Sequence, residues 1–146
     1  KNLDFSIGFY TQIGNKVLNA KRMNRDVFTD GNYDLDFYQN AWRPDRPSQT
    51  YPSAAAYNTA FIQQANSFFV EDASYLRIQN IQVGYTFRNL RQISSMRISF
   101  TAQRPFTFFR YNGFTPEVSG SPIASGVDMS TYPMQGIYTL GLKLSF

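Results

Sequence analysis

The chain closes on "GIYTLGLKLSF", where every second residue from Tyr138 is large and apolar (Tyr138, Leu140, Leu142, Leu144, Phe146) and the residues between are small or polar (Thr139, Gly141, Lys143, Ser145). A period of two marks a β-strand with unlike faces. The pattern occurs three more times. "NLDFSIGFYTQI" sets Leu3, Phe5, Ile7 and Phe9 against Asp4, Ser6, Gly8 and Tyr10. "SYLRIQNIQVGYTF" sets Ile81, Val83, Tyr85 and Phe87 against Asn80, Gln82, Gly84 and Thr86, and "MRISFTAQ" sets Met96, Ile98, Phe100 and Ala102 against Arg97, Ser99, Thr101 and Gln103. Leu76 and Ile78 run in the opposite phase to Ile81, as one extra residue would cause, so a bulge is expected between Ile78 and Ile81. The chain therefore reads as all-β and antiparallel. Its apolar faces pack either on a protein core, as in a sandwich, or on lipid, as in a barrel wall.

The connections favour the barrel. Only "RNLRQIS" joins the second strand to the third, whereas about sixty residues join the first to the second and about thirty the third to the fourth. Compact domains mostly use connections of about 4–6 residues, while transmembrane barrels pair short periplasmic turns with long outer loops. With the carboxyl end periplasmic, strand parity puts both long loops outside. The expected lipid-facing residues are Phe5, Ile7, Phe9, Val83, Tyr85, Phe87, Ile98, Phe100, Leu140, Leu142 and Leu144. The lumen would receive Asn80, Gln82, Thr86, Arg97, Thr101, Gln103, Thr139 and Lys143. Aromatic girdles are expected from Phe5, Tyr85, Phe87 and Phe146 at the periplasmic side, and from Phe68, Phe69, Phe106, Phe108, Phe109 and Tyr138 at the outer side.

Aromatics make up 17% of the chain although its mean hydropathy is −0.37, so apolar residues are concentrated in the strands. No run approaches the roughly 18 apolar residues of a membrane helix. There is no cysteine and no histidine, which removes disulfides, thiol chemistry, the commonest general base and the commonest transition-metal ligand. Glu71 and Asp72 are adjacent and fall on opposite faces of a strand end, a poor geometry for a catalytic pair. No catalytic residue and no cofactor is nominated, and the chain reads as a non-enzyme. The net charge of +4 is dispersed, which argues against a nucleic-acid partner.

Three loop features remain. Asp26, Asp30, Asp34 and Asp36 cluster in "RDVFTDGNYDLD", making Asp30, Asp34 and Asp36 a weak Ca²⁺ candidate, although the spacing is not that of an EF-hand and the same residues form ordinary turns. Trp42, Arg43, Arg46, Tyr51, Tyr57 and Phe61 suit either stacking and hydrogen bonding to a ligand or packing of the loop against its neighbours or a partner protein. "PSAAAYNTAFIQQAN" has the start and composition of a short helix. Lys16, Lys21, Arg22 and Arg25 would lie on the outer side, facing lipopolysaccharide phosphates or simply water.

Several ordered motifs carry a family resemblance. "SFFVEDASYLRIQNIQVGYTF", "MRISFTAQRPFTFFRYNGFTPEV" and "GVDMSTYPMQGIYTLGLKLSF" resemble the carboxyl-terminal end of SusC/RagA-type TonB-dependent outer-membrane transporters of Bacteroidetes-type bacteria. "NAWRPDRPSQTYPSA", with Trp42, Pro44, Pro47, Tyr51 and Pro52, is similar to the family's Trp-x-Pro…Tyr-Pro loop. One departure is "QRPFTFF" in place of a Gln-Asn-Leu-Phe-like sequence, with Pro105 expected where the third strand leaves the sheet.

The resemblance implies that residues 1–146 are the last four strands and last two outer loops of a 22-stranded barrel whose plug, TonB-contacting segment and other strands lie elsewhere. It implies uptake of oligosaccharides or peptides across the outer membrane of a Gram-negative bacterium, with a SusD-like lipoprotein as partner beside lipid and lipopolysaccharide. Phe146 resembles the terminal aromatic read during barrel assembly. Lys1 opens directly into the alternation, so the chain reads as a piece of something longer. A secreted glycan-binding sandwich and a passive porin or structural barrel fragment are the alternatives.

Overall fold

A computed structural model describes residues 2–25, 33–56, 64–90, 92–118 and 125–146. The elements in chain order are β1 (Leu3–Gln12), β2 (Lys16–Leu18), α1 (Ala20–Arg25), α2 (Leu35–Asn40), α3 (Ala54–Ala56), a 3-10 turn (Ser67–Phe69), β3 (Val70–Asp72), β4 (Tyr75–Leu90), β5 (Ile93–Phe109) and β6 (Ile137–Ser145). They fall into two compact units. One comprises Lys1–Asn15, Ser74–Arg110 and Pro133–Phe146; the other comprises Lys16–Ala73 and Tyr111–Tyr132.

The first unit is a four-stranded sheet of order β1-β4-β5-β6, antiparallel at every junction. Register turns four alternating sequences into two continuous faces. Phe5 pairs with Val83, Val83 with Phe100 and Phe100 with Leu140; Tyr85 pairs with Ile98 and Ile98 with Leu142. Ser6, Gln82, Thr101 and Thr139 form the equivalent polar row.

The expected bulge is present. Gly8 pairs with Asn80 and Phe9 with Ile78, which leaves Gln79 between them. On the other side Asn80 pairs with Gln103 and Ile78 with Phe106, so Gln79 lies opposite Arg104 and Pro105. Arg104 takes φ 51°, the left-handed geometry that bulges accommodate. One extra residue in β4 and two in β5 return Phe9, Ile78 and Phe106 to the apolar face. Pro105 does not mark the end of the strand, contrary to expectation. The ladder is already interrupted there, so the missing N–H costs no pairing and β5 continues to Phe109.

The second unit turns the two long connections into a packed body. Phe37, Ala41 and Phe69 form one buried cluster, joined by Leu18, Met23, Tyr33, Tyr51 and Phe68; Val17, Ala73 and Tyr111 form another, joined by Val118. Phe68 and Phe69 therefore do not belong to an aromatic girdle. Phe69 is 0% exposed, and Phe68 meets it edge-on with ring centroids 5.2 Å apart.

Backbone pairing ties the unit together through β2. It pairs antiparallel with β3 on one side, while the Leu18 N–H donates to the Gly126 carbonyl (2.8 Å) and the Asp128 N–H to the Leu18 carbonyl (2.9 Å) on the other. The Asn19 side-chain oxygen then caps α1 by accepting from the Arg22 N–H at 2.8 Å. Of the expected helix in "PSAAAYNTAFIQQAN", Ala54–Ala56 is helical, and Tyr57 to Gln63 lie outside the described residues.

Candidate functional site

The apolar face of the sheet is exposed from edge to edge. Leu140 is 78% and Leu142 65% exposed on β6, and Phe5 and Phe9 are each more than half exposed on β1. Even on the paired central strands Tyr85, Phe87, Ile98 and Phe100 remain open, and Val83 is half-buried. Ile7 and Leu144 share this face and are also exposed. Such a surface far exceeds the scattered apolar residues normal on a water-facing protein. Aromatic rings group at its two ends, with Tyr85 and Phe87 at centroid separation 4.6 Å and Phe106 and Phe108 at 6.4 Å. Tyr138 stacks on Phe100 at 6.4 Å. Phe109, by contrast, has the phase of the opposite face, opposite Tyr75. Phe146 is the most open of the aromatics among the described residues, at 89% exposed.

The opposite face carries a charge clamp. Arg97 of β5 reaches across β4 to Asp4 of β1, with Nη1 donating to Oδ1 at 2.6 Å and Nη2 to Oδ2 at 2.7 Å. This two-pronged geometry is the strong form of an arginine-carboxylate pair. It requires Gly84 beneath it, because a Cβ there would fall on the guanidinium. Arg97 Nη1 also donates to Thr86 at 3.3 Å, and Arg97 pairs with Lys143 on the next strand.

The nominated loop residues divide into two kinds. Trp42 remains exposed, and its backbone N–H donates to the Pro52 carbonyl at 3.2 Å. Arg43 and Arg46 exchange backbone hydrogen bonds in a tight turn, and both guanidinium groups donate to the Tyr38 carbonyl, at 3.2 and 3.5 Å. Arg43 also lies over the Tyr38 ring at 5.0 Å. Tyr51 turns inward instead, donating to Asp36 Oδ2 at 2.5 Å. Burial and that carboxylate push its hydroxyl above the ordinary tyrosine value. Tyr57 and Phe61 lie outside the described residues.

Of the carboxylates, Asp36 accepts from Tyr51, Asn40 and Arg22, and Asp34 precedes α2 without capping it through its side chain. Asp26 and Asp30 lie outside the described residues, among which no three carboxylates gather as a metal site. Of the basic group, Lys16, Lys21 and Arg22 do not form a free patch either, and the Arg25 side chain lies outside the description. Arg22 is 6% exposed and pairs with Glu71 at 3.2 Å and Asp36 at 3.4 Å. Lys16 pairs with Asp72 at 2.9 Å and Lys21 lies over the Phe114 ring at 3.1 Å.

Sequence reasoning missed two polar junctions in this unit. Glu71 accepts from Asn19 and Arg22, both at 3.2 Å, and from the Asn112 N–H at 2.9 Å. Asp128, 1% exposed, accepts from the Tyr111 hydroxyl at 2.7 Å and from the Ser130 and Thr131 N–H groups at 3.0 and 2.8 Å. Burial alone would raise the Asp128 carboxyl, but those three donors outweigh it and hold it below the ordinary value. Burial and the neighbouring Asp128 push the Tyr111 hydroxyl far up. Only the adjacent turn residues in "GVDMST" hinted at such a carboxylate.

Over its whole length the chain is 32% identical to TonB-dependent receptor SusC of Bacteroides thetaiotaomicron and covers 14% of that protein. It is 27% identical to TonB-dependent receptor P3 of Formosa agariphila, covering 15% of it. Among solved structures, a chain of the RagAB peptide importer in its open-open state matches all of this chain with TM-score 0.74 and 26% identity, and the closed-closed state matches with TM-score 0.73; 16% of that chain is covered in each case. No protein-family model matches. The chain thus spans 14 to 16% of the length of these relatives. The resemblance read from the motifs extends from end to end, and in sequence and fold the chain is similar to a segment of the barrel of SusC/RagA-type TonB-dependent receptors.

Proposed function

We propose that this chain supplies four adjacent wall strands and two outer loops to a 22-stranded TonB-dependent transporter in the outer membrane of a Bacteroidetes-type bacterium. The observation that carries this reading is the exposed apolar face spanning all four strands, backed by a polar face with the Asp4–Arg97 clamp. A glycan-binding sandwich would bury the apolar face against a second sheet, and the exposure of Leu140, Leu142, Phe5 and Phe9 argues against it.

The whole transporter would import a large nutrient, an oligosaccharide or peptide, through a lumen closed by a plug and driven by TonB, with a SusD-like lipoprotein seated over the outer loops. The likeness to SusC and to the RagAB importer supports this assignment. Trp42 with the Arg43–Arg46 turn is the part of the loop unit offered to the lid or its cargo. Deleting Trp42 to Phe61 from the full-length transporter is expected to reduce lipoprotein co-purification and uptake while the barrel still assembles. Loss of barrel assembly instead, or an assembled barrel with unchanged lipoprotein co-purification and uptake, would overturn this role for the loop.

A further inference from the structure

The sheet unit contains an open groove of about 430 Å³, at the end where β1 stops, β4 starts and β5 stops. Its lining includes Thr11, Ile13, Ser74, Leu76, Phe108 and Arg110. Register explains why these six belong together. Thr11, Leu76 and Phe108 form one cross-strand row of the apolar face. Ile13, Ser74 and Arg110 each continue the same alternation by one further step of two. Tyr75 and Phe109, the adjoining pair in the opposite phase, complete the lining, so the groove lies where the sheet ends and joins the last row of the apolar face to a cation. Phe108 is more than half exposed and Ile13 more so. Arg110 is exposed and follows directly on the end of β5, so its long side chain can carry the guanidinium from the apolar row to an anionic head at the interface.

We propose that this groove binds a phosphate-bearing lipid, whose acyl chain lies along Ile13, Leu76 and Phe108 and whose phosphate is held by the Arg110 guanidinium. The proposal rests on the apolar face contacting lipid, and two features of the groove select the ligand. Its continuity with that face favours an acyl chain, and its single terminal cation favours an anionic head at the depth where side chains leave the bilayer. Thr11 Oγ1 donates to the Tyr75 carbonyl at 2.9 Å and Ser74 Oγ accepts from the Gly14 N–H at 3.0 Å. These bonds fix the polar rim and leave Arg110 as the recognition group.

The test uses the full-length transporter in detergent with two photoactivatable probes, a phosphatidic acid and a diacylglycerol carrying the same diazirine acyl chain, and mapping of the labelled peptides. Phosphatidic acid should label the peptides containing Ile13 and Phe108 preferentially. Arg110→Gln should lower that labelling about fivefold, Arg110→Lys should largely retain it, and diacylglycerol labelling should not change. Equal labelling by both probes, or labelling insensitive to Arg110→Gln, overturns the site. Protection by inorganic phosphate alone would assign the groove to a free anion and also overturns it. If labelling at Leu140 to Leu144 proceeds normally, only the groove proposal fails. If no residue of the apolar face is labelled by either probe, the lipid-facing reading of the sheet fails as well.

Discussion

Asp128 shows how one side chain holds a loop. Its carboxylate gathers the hydroxyl of Tyr111 and two successive N–H groups, so its folded pKa lies below the ordinary value of about 4. A carboxyl lowered by folding contributes stability above the ordinary value and loses it as pH falls through the lowered one. The second unit should therefore be insensitive to pH near neutrality and loosen in acid below about pH 4. Hydrogen exchange at residues 125–132, corrected for intrinsic rates, reads this directly. Asp128→Asn should weaken protection at pH 7 by about 1–3 kcal/mol, because the amide leaves a buried donor poorly matched, and should flatten the acid dependence. Its pairing with Tyr111 was illegible in the sequence, because the two residues are separated by a stretch that no local pattern spans.

At the scale of elements, period two was sufficient to read all four long strands, and the phase change between Ile78 and Ile81 was sufficient to read the bulge. Alternation is local, so a sequence window contains it. Pro105 misled for the same reason: read alone, a residue without an N–H ends a strand, and only the pairing of Ile78 with Phe106 reveals that the ladder is interrupted there anyway. The bulge is also a checkable device. Deleting Gln79 would shift Leu76, Arg77 and Ile78 by one residue and send Arg77 to the apolar face, since side-chain direction reverses at each step. The full-length protein lacking Gln79 should lose its heat-resistant folded band in gel electrophoresis, whereas deletion of Gln49 from the loop should not. An unchanged band for both would mean that the register is not fixed by this residue. The second unit escaped the sequence reading because its cores draw on Val17, Ala73 and Tyr111, or on Leu18, Phe37 and Phe69, which meet only after the chain has folded back.

For the whole molecule, the two faces of the sheet predict opposite tolerance to charge. Leu142, paired with Ile98 in the apolar field, should not accept arginine; a cation on a lipid face at mid-depth costs about 2–4 kcal/mol. Thr101, in the middle of the polar row between Gln82 and Thr139, should accept lysine with little change. The fraction of full-length protein recovered folded from membranes distinguishes the two, and equal recovery of both variants would remove the case for lipid on either face.

The double pairing of β2 has a mechanical consequence. Leu18 is bonded to Gly126 and Asp128 on one side and pairs with Val70 on the other, so segments far apart in the sequence share one central strand. Tension entering along Lys16–Leu18 would be resisted by hydrogen bonds lying across the direction of pull, on both flanks at once. Bonds in that arrangement are loaded together in shear and do not open one after another like a zipper. The two connections thus form a single tether with a shared breaking point.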